Sequence, residues 1–123
     1  MTPRTVLYAD DDPEFADVVG LRLRSHLDCA VETTTSGEHA LERLDDADVD
    51  CLVLDYRLPG HDPLELLRDA RSRRPDVPVV FFTGVDDPSA AADAKEAGAA
   101  AFVRKGPGSV DTLADVIREQ IGA

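Results

Sequence analysis

The sequence predicts an α/β fold in which a doubly wound parallel sheet of five strands carries helices on both faces. Five short apolar runs alternate along the chain with five longer segments of helical periodicity. An Asp-Pro pair follows three of the predicted strands and marks the start of a helix. Such alternation is typical of parallel strands joined by right-handed crossovers, and 123 residues suit one domain over residues 1–123. We therefore expect a single (βα)5 domain.

The five predicted strands are short runs rich in β-branched and other apolar residues. The third run is apolar at all four positions, as a central strand covered by helices on both faces must be. In chain order, the predicted strands are Thr5–Ala9, Ala30–Thr34, Cys51–Leu54, Val79–Phe82 and Ala101–Val103.

Apolar residues recur at helical spacing in the segments that separate the strands. The clearest pattern belongs to the last helix, where they recur at i, i+3, i+4, i+7 and i+11 from Val110. The residues that mark the five helices are Phe15, Val18, Val19, Leu23 and Leu27; Ala40, Leu41 and Leu44; Leu64, Leu66, Leu67 and Ala70; Ala90–Ala97; and Val110, Leu113, Ala114, Ile117 and Ile121.

Three helix starts are defined by Asp12, Asp62 and Asp87, each of which is followed by proline. The aspartate accepts hydrogen bonds from the free N–H groups of the first turn, and proline fits there because it needs no N–H partner. These starts follow strands one, three and four, at the sheet edge where open α/β folds bind ligands. The functional residues should therefore lie at this edge.

The chain is strongly acidic, with 25 Asp and Glu against 13 Lys and Arg and a net charge of −12. This charge repels phosphate backbones and anionic membranes, so we expect neither a nucleic acid nor a membrane as a partner. No apolar run can span a bilayer and no signal-peptide core is present, which predicts a cytoplasmic protein. Cys29, Cys51 and the three histidines lack metal-ligand spacing, so we expect no zinc site.

Polar residues with complementary chemistry end four of the predicted strands. They are Asp10–Asp12 on strand one, Asp55 on strand three, Thr83 on strand four and Lys105 on strand five. Clustered carboxylates repel unless a cation neutralises them, and Mg²⁺ prefers carboxylate, water and phosphate oxygens. An aspartate can also attack phosphorus to give an acyl phosphate. The pattern indicates phosphoryl transfer to an aspartate, with Asp12 reserved for helix capping.

The polar strand ends lie in four longer segments of the chain, which are VLYADDDP at 6–13, LVLDYRLPG at 52–60, FFTG at 81–84 and AFVRK at 101–105. Together these segments resemble the response-regulator receiver domain of two-component signalling. Spacings of 44, 28 and 22 residues separate Asp11 from Asp55, Asp55 from Thr83, and Thr83 from Lys105. The resemblance covers essentially the whole chain and implies the flavodoxin-like sheet order 2-1-3-4-5. Because strand one then separates Cys29 from Cys51, we expect free thiols.

The resemblance implies that Asp55 accepts a phosphoryl group from a histidine kinase or a phosphotransfer protein. It also implies that Asp10, Asp11 and Asp55, together with the backbone carbonyl of Arg57, hold Mg²⁺ or Mn²⁺. A domain of this kind is a phosphoacceptor regulator and not an enzyme. Its own chemistry is limited to self-phosphorylation from small phosphodonors and autodephosphorylation.

The family's switch would fall on three further residues. Thr83 would hydrogen-bond the phosphoryl group, Lys105 would pair with its oxygens, and Phe102 would swing into the space that Thr83 leaves; from packing alone, Phe102 is simply a core residue. These movements would bias a two-state surface formed by helix four, strand five and helix five. A downstream protein target, an output domain or a phosphorylation-dependent homodimer would read that surface.

Two departures from the family's pattern bear on the chemistry of the site. Gly106 follows Lys105, where the family commonly has a proline in a cis peptide. A cis bond before a non-proline residue costs about 2.5 to 4 kcal/mol, so we expect the Lys105–Gly106 peptide to be trans. At the second position, Arg57 is bulky and cationic, and we expect it to interact with an acidic residue of the rim in the unphosphorylated form.

Two other functions are compatible with the residues. The Asp10-x-Asp12 pattern resembles a haloacid-dehalogenase-like phosphatase with Asp10 as nucleophile, although that family's threonine after the second aspartate is absent and Asp55 would have no role. A receiver-like interaction module without phosphorylation would keep the same fold, although the intact acidic residues argue against it. Locating the aspartate modified by acetyl phosphate or beryllofluoride separates these functions.

Overall fold

The computed structural model describes residues 4–122 and contains the five strands and five helices that the sequence predicts. The strands are β1 (Arg4–Ala9), β2 (Cys29–Thr34), β3 (Val49–Leu54), β4 (Val79–Thr83) and β5 (Ala101–Arg104). The helices are α1 (Pro13–His26), α2 (Gly37–Leu44), α3 (Pro63–Arg73), α4 (Pro88–Glu96) and α5 (Ser109–Ile121). The predicted (βα)5 fold is confirmed, and strand limits differ by one or two residues.

All five strands are parallel and lie in the order β2-β1-β3-β4-β5, which confirms the predicted sheet order. Ala9 at the end of β1 pairs with Thr34 of β2 and with Leu54 of β3. Because these strands end at the same level, the residues that follow Ala9 and Leu54 meet at one edge of the sheet. This register brings the predicted acidic residues together.

The sheet divides the core into two layers. On β1, Val6 and Tyr8 face the layer built with α1 and α5, whereas Leu7 and Ala9 face the layer built with α2 and α3. Side chains alternate between the faces because a strand has a period of two residues. All four of these side chains are buried, so β1 is covered on both sides, as the sequence pattern requires.

The helix starts follow the predicted chemistry. Asp12, Asp62 and Asp87 are the N-caps of α1, α3 and α4, and each side chain accepts hydrogen bonds from backbone N–H groups of the first turn. Ser36 caps α2 in the same way. Gly108 precedes α5 with a left-handed φ of 72° and has no side-chain cap. Local sequence therefore fixes where four of the five helices begin.

The predicted apolar face of α1 is wrong at one residue, Val18. Val18 is 58% exposed, and the core-facing residues of this helix are Ala16, Val19, Gly20 and Leu23. Successive helical residues differ by about 100° around the axis, so Val18 points away from the face that contains Val19. Its neighbour one turn on, Leu21, is 67% exposed and extends the same outer face.

Both cysteines are free thiols, as expected. Cys29 pairs with Arg4 of β1, and Cys51 pairs with Val6 on the other side of that strand. Strand β1 thus separates the two thiols. Within residues 4–122, no helix combines the length and the apolar character needed to cross a membrane.

Candidate functional site

Three carboxylates meet where β1 and β3 end. One oxygen from each of Asp10, Asp11 and Asp55 lies within 4.8 Å of the others. Hydrogen bonds continue the sheet into these residues, from Asp10 N to Thr34 O (3.0 Å) and from Asp55 N to Ala9 O (2.9 Å). Asp10 is 1% exposed and Asp55 is 8% exposed, whereas Asp11 is open to solvent. The sheet therefore holds two of the acids rigidly, with the third beside them.

Asp10 is the most completely held of the three acids. Its Oδ2 accepts hydrogen bonds from the Tyr8 hydroxyl and, at 2.8 Å, from the Lys105 ammonium. Its Oδ1 accepts the backbone N–H of Asp12 at 3.0 Å. Burial opposes ionisation, but the donors from Lys105, Tyr8 and Asp12 outweigh it and lower the pKa of Asp10. Asp10 is accordingly a carboxylate at neutral pH.

Lys105 reaches from the end of β5 to both buried carboxylates. Its Nζ lies 2.8 Å from Oδ2 of Asp10 and 3.2 Å from Oδ2 of Asp55. The Lys105 backbone N–H donates to Thr83 O at 2.8 Å, which continues the β4–β5 pairing. Burial would lower the pKa of Lys105, but Asp10 and Asp55 outweigh burial and raise it. The ammonium therefore stays charged between the two acids.

The Lys105–Gly106 peptide is trans, since residues 4–122 contain no cis peptide. The expectation from the missing proline is confirmed. The lysine reaches the acids without the cis turn that the family commonly uses there.

Asp55 has fewer partners than Asp10. Its Oδ1 accepts the backbone N–H of Arg57 at 3.1 Å, and its Oδ2 accepts only the Lys105 ammonium among the described residues. The Arg57 contact forms a tight turn directly after β3, which fixes the direction of the Asp55 carboxylate. Its Oδ2 faces the cluster with a single charged donor.

Thr83 lies at the same sheet edge but apart from the carboxylates. It is 1% exposed, and its Oγ1 accepts the backbone N–H of Val85 at 3.3 Å. Within residues 4–122, its hydroxyl makes no hydrogen bond to Asp55 or Lys105. The structure thus clusters Asp10, Asp11 and Asp55 within 4.8 Å, pairs Lys105 with Asp10 and Asp55, and leaves Thr83 beside them.

Residues 6–118 match the sequence model of the response regulator receiver domain. The chain belongs to the response regulator receiver domain family. It is a phosphoacceptor domain of two-component signalling. This membership excludes the haloacid-dehalogenase-like phosphatase that the Asp10-x-Asp12 pattern also suggested.

Relatives of this receiver domain include longer regulators. The transcriptional regulatory protein GlrR of Escherichia coli is 30% identical over 119 residues, which are 97% of this chain and 26% of that protein. The C4-dicarboxylate transport regulator DctD of Pseudomonas aeruginosa is 35% identical over 120 residues, which are 94% of this chain and 25% of that protein. A putative transcriptional regulator of Haloferax volcanii is 40% identical over 83 residues, which are 68% of this chain and 14% of that protein. The chain spans about a quarter of the length of GlrR and DctD.

Solved receiver domains share the fold over nearly the whole chain. A receiver domain protein from Clostridium thermocellum has a TM-score of 0.88 at 23% identity, covering 97% of this chain and 94% of that one. The beryllofluoride-activated receiver domain of DrrB has a TM-score of 0.84 at 26% identity, with both chains fully covered. The backbone of this receiver domain is therefore that of its family.

Phe102 of the receiver domain is half-buried in an aromatic cluster. Its ring centroid lies 5.6 Å from that of Tyr56 and 6.1 Å from that of Phe81. Tyr56 and Phe81 are themselves 5.2 Å apart in an edge-to-face arrangement. The sequence interpretation did not include Tyr56, although it directly follows Asp55 and so connects the acidic site to the cluster through one peptide bond.

Arg57 does not form the contact that we expected. Its side chain is exposed, and none of the ion pairs within residues 4–122 includes it. The side chain lines a cleft of about 520 Å³ together with Tyr56, His61 and Asp87. The Lys105 ammonium already occupies the space between the acids, which leaves no buried partner for the guanidinium. Only the Arg57 backbone contacts Asp55.

Two aromatic residues of the site were missed in the sequence. The Tyr8 hydroxyl binds Asp10, and burial together with this hydrogen bond raises the pKa of Tyr8, so the hydroxyl stays protonated. The Phe15 ring lies below the Lys105 ammonium. Tyr8 could have been found, because residues two apart in a strand share a face. No sequence signal pointed to Phe15.

The donor set of the cluster fits a divalent cation. Three carboxylates of Asp10, Asp11 and Asp55 share one ammonium, from Lys105, so two negative charges remain uncompensated. Carboxylate oxygens are the ligands that Mg²⁺ prefers, and the exposure of Asp11 leaves the cluster open to water and phosphate. The residues therefore match the acidic metal site of receiver domains.

Proposed function

We propose that this receiver domain takes up a phosphoryl group on Asp55 in a reaction that depends on Mg²⁺ or Mn²⁺. The observation that carries the proposal is the Lys105 ammonium between Oδ2 of Asp10 and Oδ2 of Asp55, at 2.8 Å and 3.2 Å. The ammonium lies where it can compensate the charge of a phosphoryl group on Asp55.

Asp55 is the best nucleophile of the three acids. Both oxygens of Asp10 are held by donors, and Asp11 is exposed. The Oδ2 of Asp55 has only Lys105, at the longer of its two contacts. In the reaction, Oδ2 attacks the phosphorus of a phosphohistidine and the P–N bond breaks. The imidazole nitrogen keeps the electron pair, and an acyl phosphate remains on Asp55.

Asp10, Asp11, Asp55 and the backbone carbonyl of Arg57 would hold the metal ion. The ion supplies charge neutralisation between the carboxylates and the phosphoryl oxygens. The chain contributes the orientation: β1 and β3 fix Asp10 and Asp55, and the Arg57 N–H fixes Oδ1 of Asp55 at 3.1 Å. Positioning of this kind is the main protein contribution to phosphoryl transfer.

Thr83 and Lys105 would bind the phosphoryl oxygens after transfer. Within the described residues, the Thr83 hydroxyl oxygen only accepts, so its own O–H is available to donate. As Thr83 moves toward the phosphoryl group, Phe102 turns inward and the surface of α4, β5 and α5 changes. Shifting such a surface from about 1% to about 99% active needs roughly 5.5 kcal/mol of differential interaction.

We propose a histidine kinase or a phosphotransfer protein as the donor, and small phosphodonors as a slower source. The relatives are transcriptional regulators by name and extend well beyond this region. We therefore propose that an output domain or a separate protein target binds the α4-β5-α5 surface. A phosphorylation-dependent homodimer is one form that this binding can take. The domain's own chemistry is self-phosphorylation and autodephosphorylation.

Chemical identification of the phosphorylated residue tests the proposal. The protein is incubated with acetyl phosphate and Mg²⁺, reduced with borohydride to convert the acyl phosphate to homoserine, and sequenced by mass spectrometry. We expect modification at Asp55, its loss on adding EDTA, and its loss in Asp55→Asn. Asp12→Asn is the matched control, because Asp12 caps α1 and should not affect labelling. Unmodified Asp55 under these conditions would support the interaction module instead.

A further inference from the structure

Tyr8 is a buried residue whose hydroxyl lies against the acidic cluster. The side chain has no exposed surface, and its hydroxyl donates to Oδ2 of Asp10. The same oxygen accepts the Lys105 ammonium at 2.8 Å. Asp10 Oδ2 thus has two donors, one neutral and fixed by the core, the other charged and carried by a flexible side chain.

Core packing does not account for the Tyr8 hydroxyl. The ring packs in the layer between the sheet, α1 and α5, with the Phe82 ring centroid 6.1 Å away. A phenylalanine would fill the same space and would need no partner for a buried polar atom. Among the described residues, Asp10 is the hydroxyl's hydrogen-bond partner. The role of the hydroxyl is therefore its hydrogen bond to Asp10 in the acidic cluster.

The two donors to Oδ2 of Asp10 differ in what happens to them on phosphorylation. Under the proposed function, Lys105 leaves Oδ2 of Asp10 for the phosphoryl oxygens. Asp10 is 1% exposed, so water would not easily replace the ammonium. An unpartnered buried carboxylate oxygen is costly. Tyr8 is the donor that remains.

We propose that Tyr8 is a positioning residue of the metal site: its hydroxyl holds Oδ2 of Asp10, keeps the carboxylate in one orientation, and allows Lys105 to leave. The inference rests on the proposed function. Hydrogen-bond partners behind a metal ligand fix its orientation, and their loss typically lowers metal affinity by 10- to 100-fold. Tyr8→Phe should weaken Mg²⁺ binding to a similar extent.

Isothermal titration calorimetry of Mg²⁺ binding to the wild type, Tyr8→Phe and Tyr56→Phe tests the inference. The chain has two tyrosines, so Tyr56→Phe is a matched control that removes the same atom. Tyr56 is half-buried, and its hydroxyl has no hydrogen bond within residues 4–122. We expect the Kd for Mg²⁺ to be about tenfold larger in Tyr8→Phe and to change less than about twofold in Tyr56→Phe. Circular dichroism checks that both variants fold.

A second titration keeps the inference falsifiable if Tyr8→Phe does not fold. In Tyr56→Phe, Tyr8 is the sole tyrosine, so the ultraviolet difference spectrum reports on its hydroxyl alone. Mg²⁺ should perturb this spectrum with the same Kd that calorimetry gives.

Two outcomes would overturn the inference while the proposed function stands. One is a folded Tyr8→Phe that binds Mg²⁺ as tightly as the wild type. The other is a tyrosine spectrum that Mg²⁺ does not change although the protein binds it. Failure of the wild type to bind Mg²⁺ would instead overturn the proposed function and the inference together.

Discussion

The Lys105 ammonium lies 4.5 Å from the centroid of the Phe15 ring, on the first helix of the domain. The ring of Phe82 is next to it, with its centroid 5.8 Å from the same nitrogen. A cation over an aromatic face is attracted by the negative face of the ring's quadrupole, more strongly when water is excluded. The ammonium is therefore held by two carboxylates on one side and by aromatic rings on another.

Replacing Phe15 should loosen Lys105. A double-mutant cycle of Phe15→Leu and Lys105→Met, measured by urea unfolding, should give a coupling free energy of about 0.5 to 2 kcal/mol. The cycle cancels the packing that each single variant loses. Strictly additive effects of the two substitutions would show that the ring only fills space.

The stability of the metal-free protein should depend on pH through Asp10 and Lys105. Burial opposes the charge on each side chain, but their hydrogen bonds lower the pKa of Asp10 below its ordinary 3.8 and raise that of Lys105 above its ordinary 10.5. Ionised Asp10 therefore stabilises the fold above pH 3.8, and this contribution to stability is lost as the pH falls through the lowered pKa. Charged Lys105 stabilises the fold below pH 10.5, and its contribution to stability is lost as the pH rises through the raised pKa.

Lys105→Met provides the comparison for the acid side. Without the ammonium, Asp10 loses a donor that lowers its pKa, so its ionisation stabilises the fold less, and less stability should be lost below pH 3.8 than in the wild type. Urea unfolding of the metal-free proteins between pH 2 and pH 7 measures this difference. Superimposable profiles for the two proteins would contradict the assigned role of the Lys105 hydrogen bond.

The two thiols should react at very different rates. Burial raises the pKa of Cys51 to about 12, and Cys51 has no exposed surface. Cys29 is half-buried, and its pKa is raised by burial and by Asp28. At pH 8, a thiol reagent should label Cys29 slowly and Cys51 only after unfolding. Cys29→Ser should give no signal in the native state, and rapid labelling of that variant would refute the burial of Cys51.

Replacing Gly98 should destabilise the fold, because its left-handed φ of 106° strains any residue that has a side chain. A Cβ there would also lie 1.5 Å from Nη1 of Arg71, at the flexible end of a side chain that has to move aside. Gly98→Ala should lower the free energy of unfolding by about 1 to 3 kcal/mol. Gly84→Ala is the matched control, because a Cβ at Gly84 meets nothing within 4 Å and its φ is not left-handed. Equal urea midpoints for the two variants would contradict this assignment.

The sheet and its acidic edge could be predicted because they follow from periodicity. Strand runs, Asp-Pro helix starts and parallel connectivity are local patterns, and together they place Asp10 and Asp55 at the same edge of the sheet. The resemblance then supplied the strand order. The meeting of Asp10, Asp11, Asp55 and Lys105 needed no further information, because the end of each strand fixes the position of its next residue.

Side-chain directions could not be predicted in the same way. Whether Arg57 turns to the acids or to solvent depends on which cation already lies between them, and the Lys105 ammonium occupies that place. Phe15 meets Lys105 from a helix 90 residues earlier in the chain, so no sequence spacing relates them. The exposure of Val18 depends on the rotation of α1 about its axis, which the apolar pattern left undetermined.

The contact between Lys105 and Asp10 joins positions 95 residues apart. On the ribosome, the aspartates of the first and third strands therefore emerge long before the cation that compensates them. Until the fifth strand leaves the exit tunnel, the lysine ammonium is missing, and Asp10 has the neutral donors of Tyr8 and Asp12 instead. Completion of this domain during translation thus waits for residue 105, and a chain cut short of it would leave the two carboxylates facing each other.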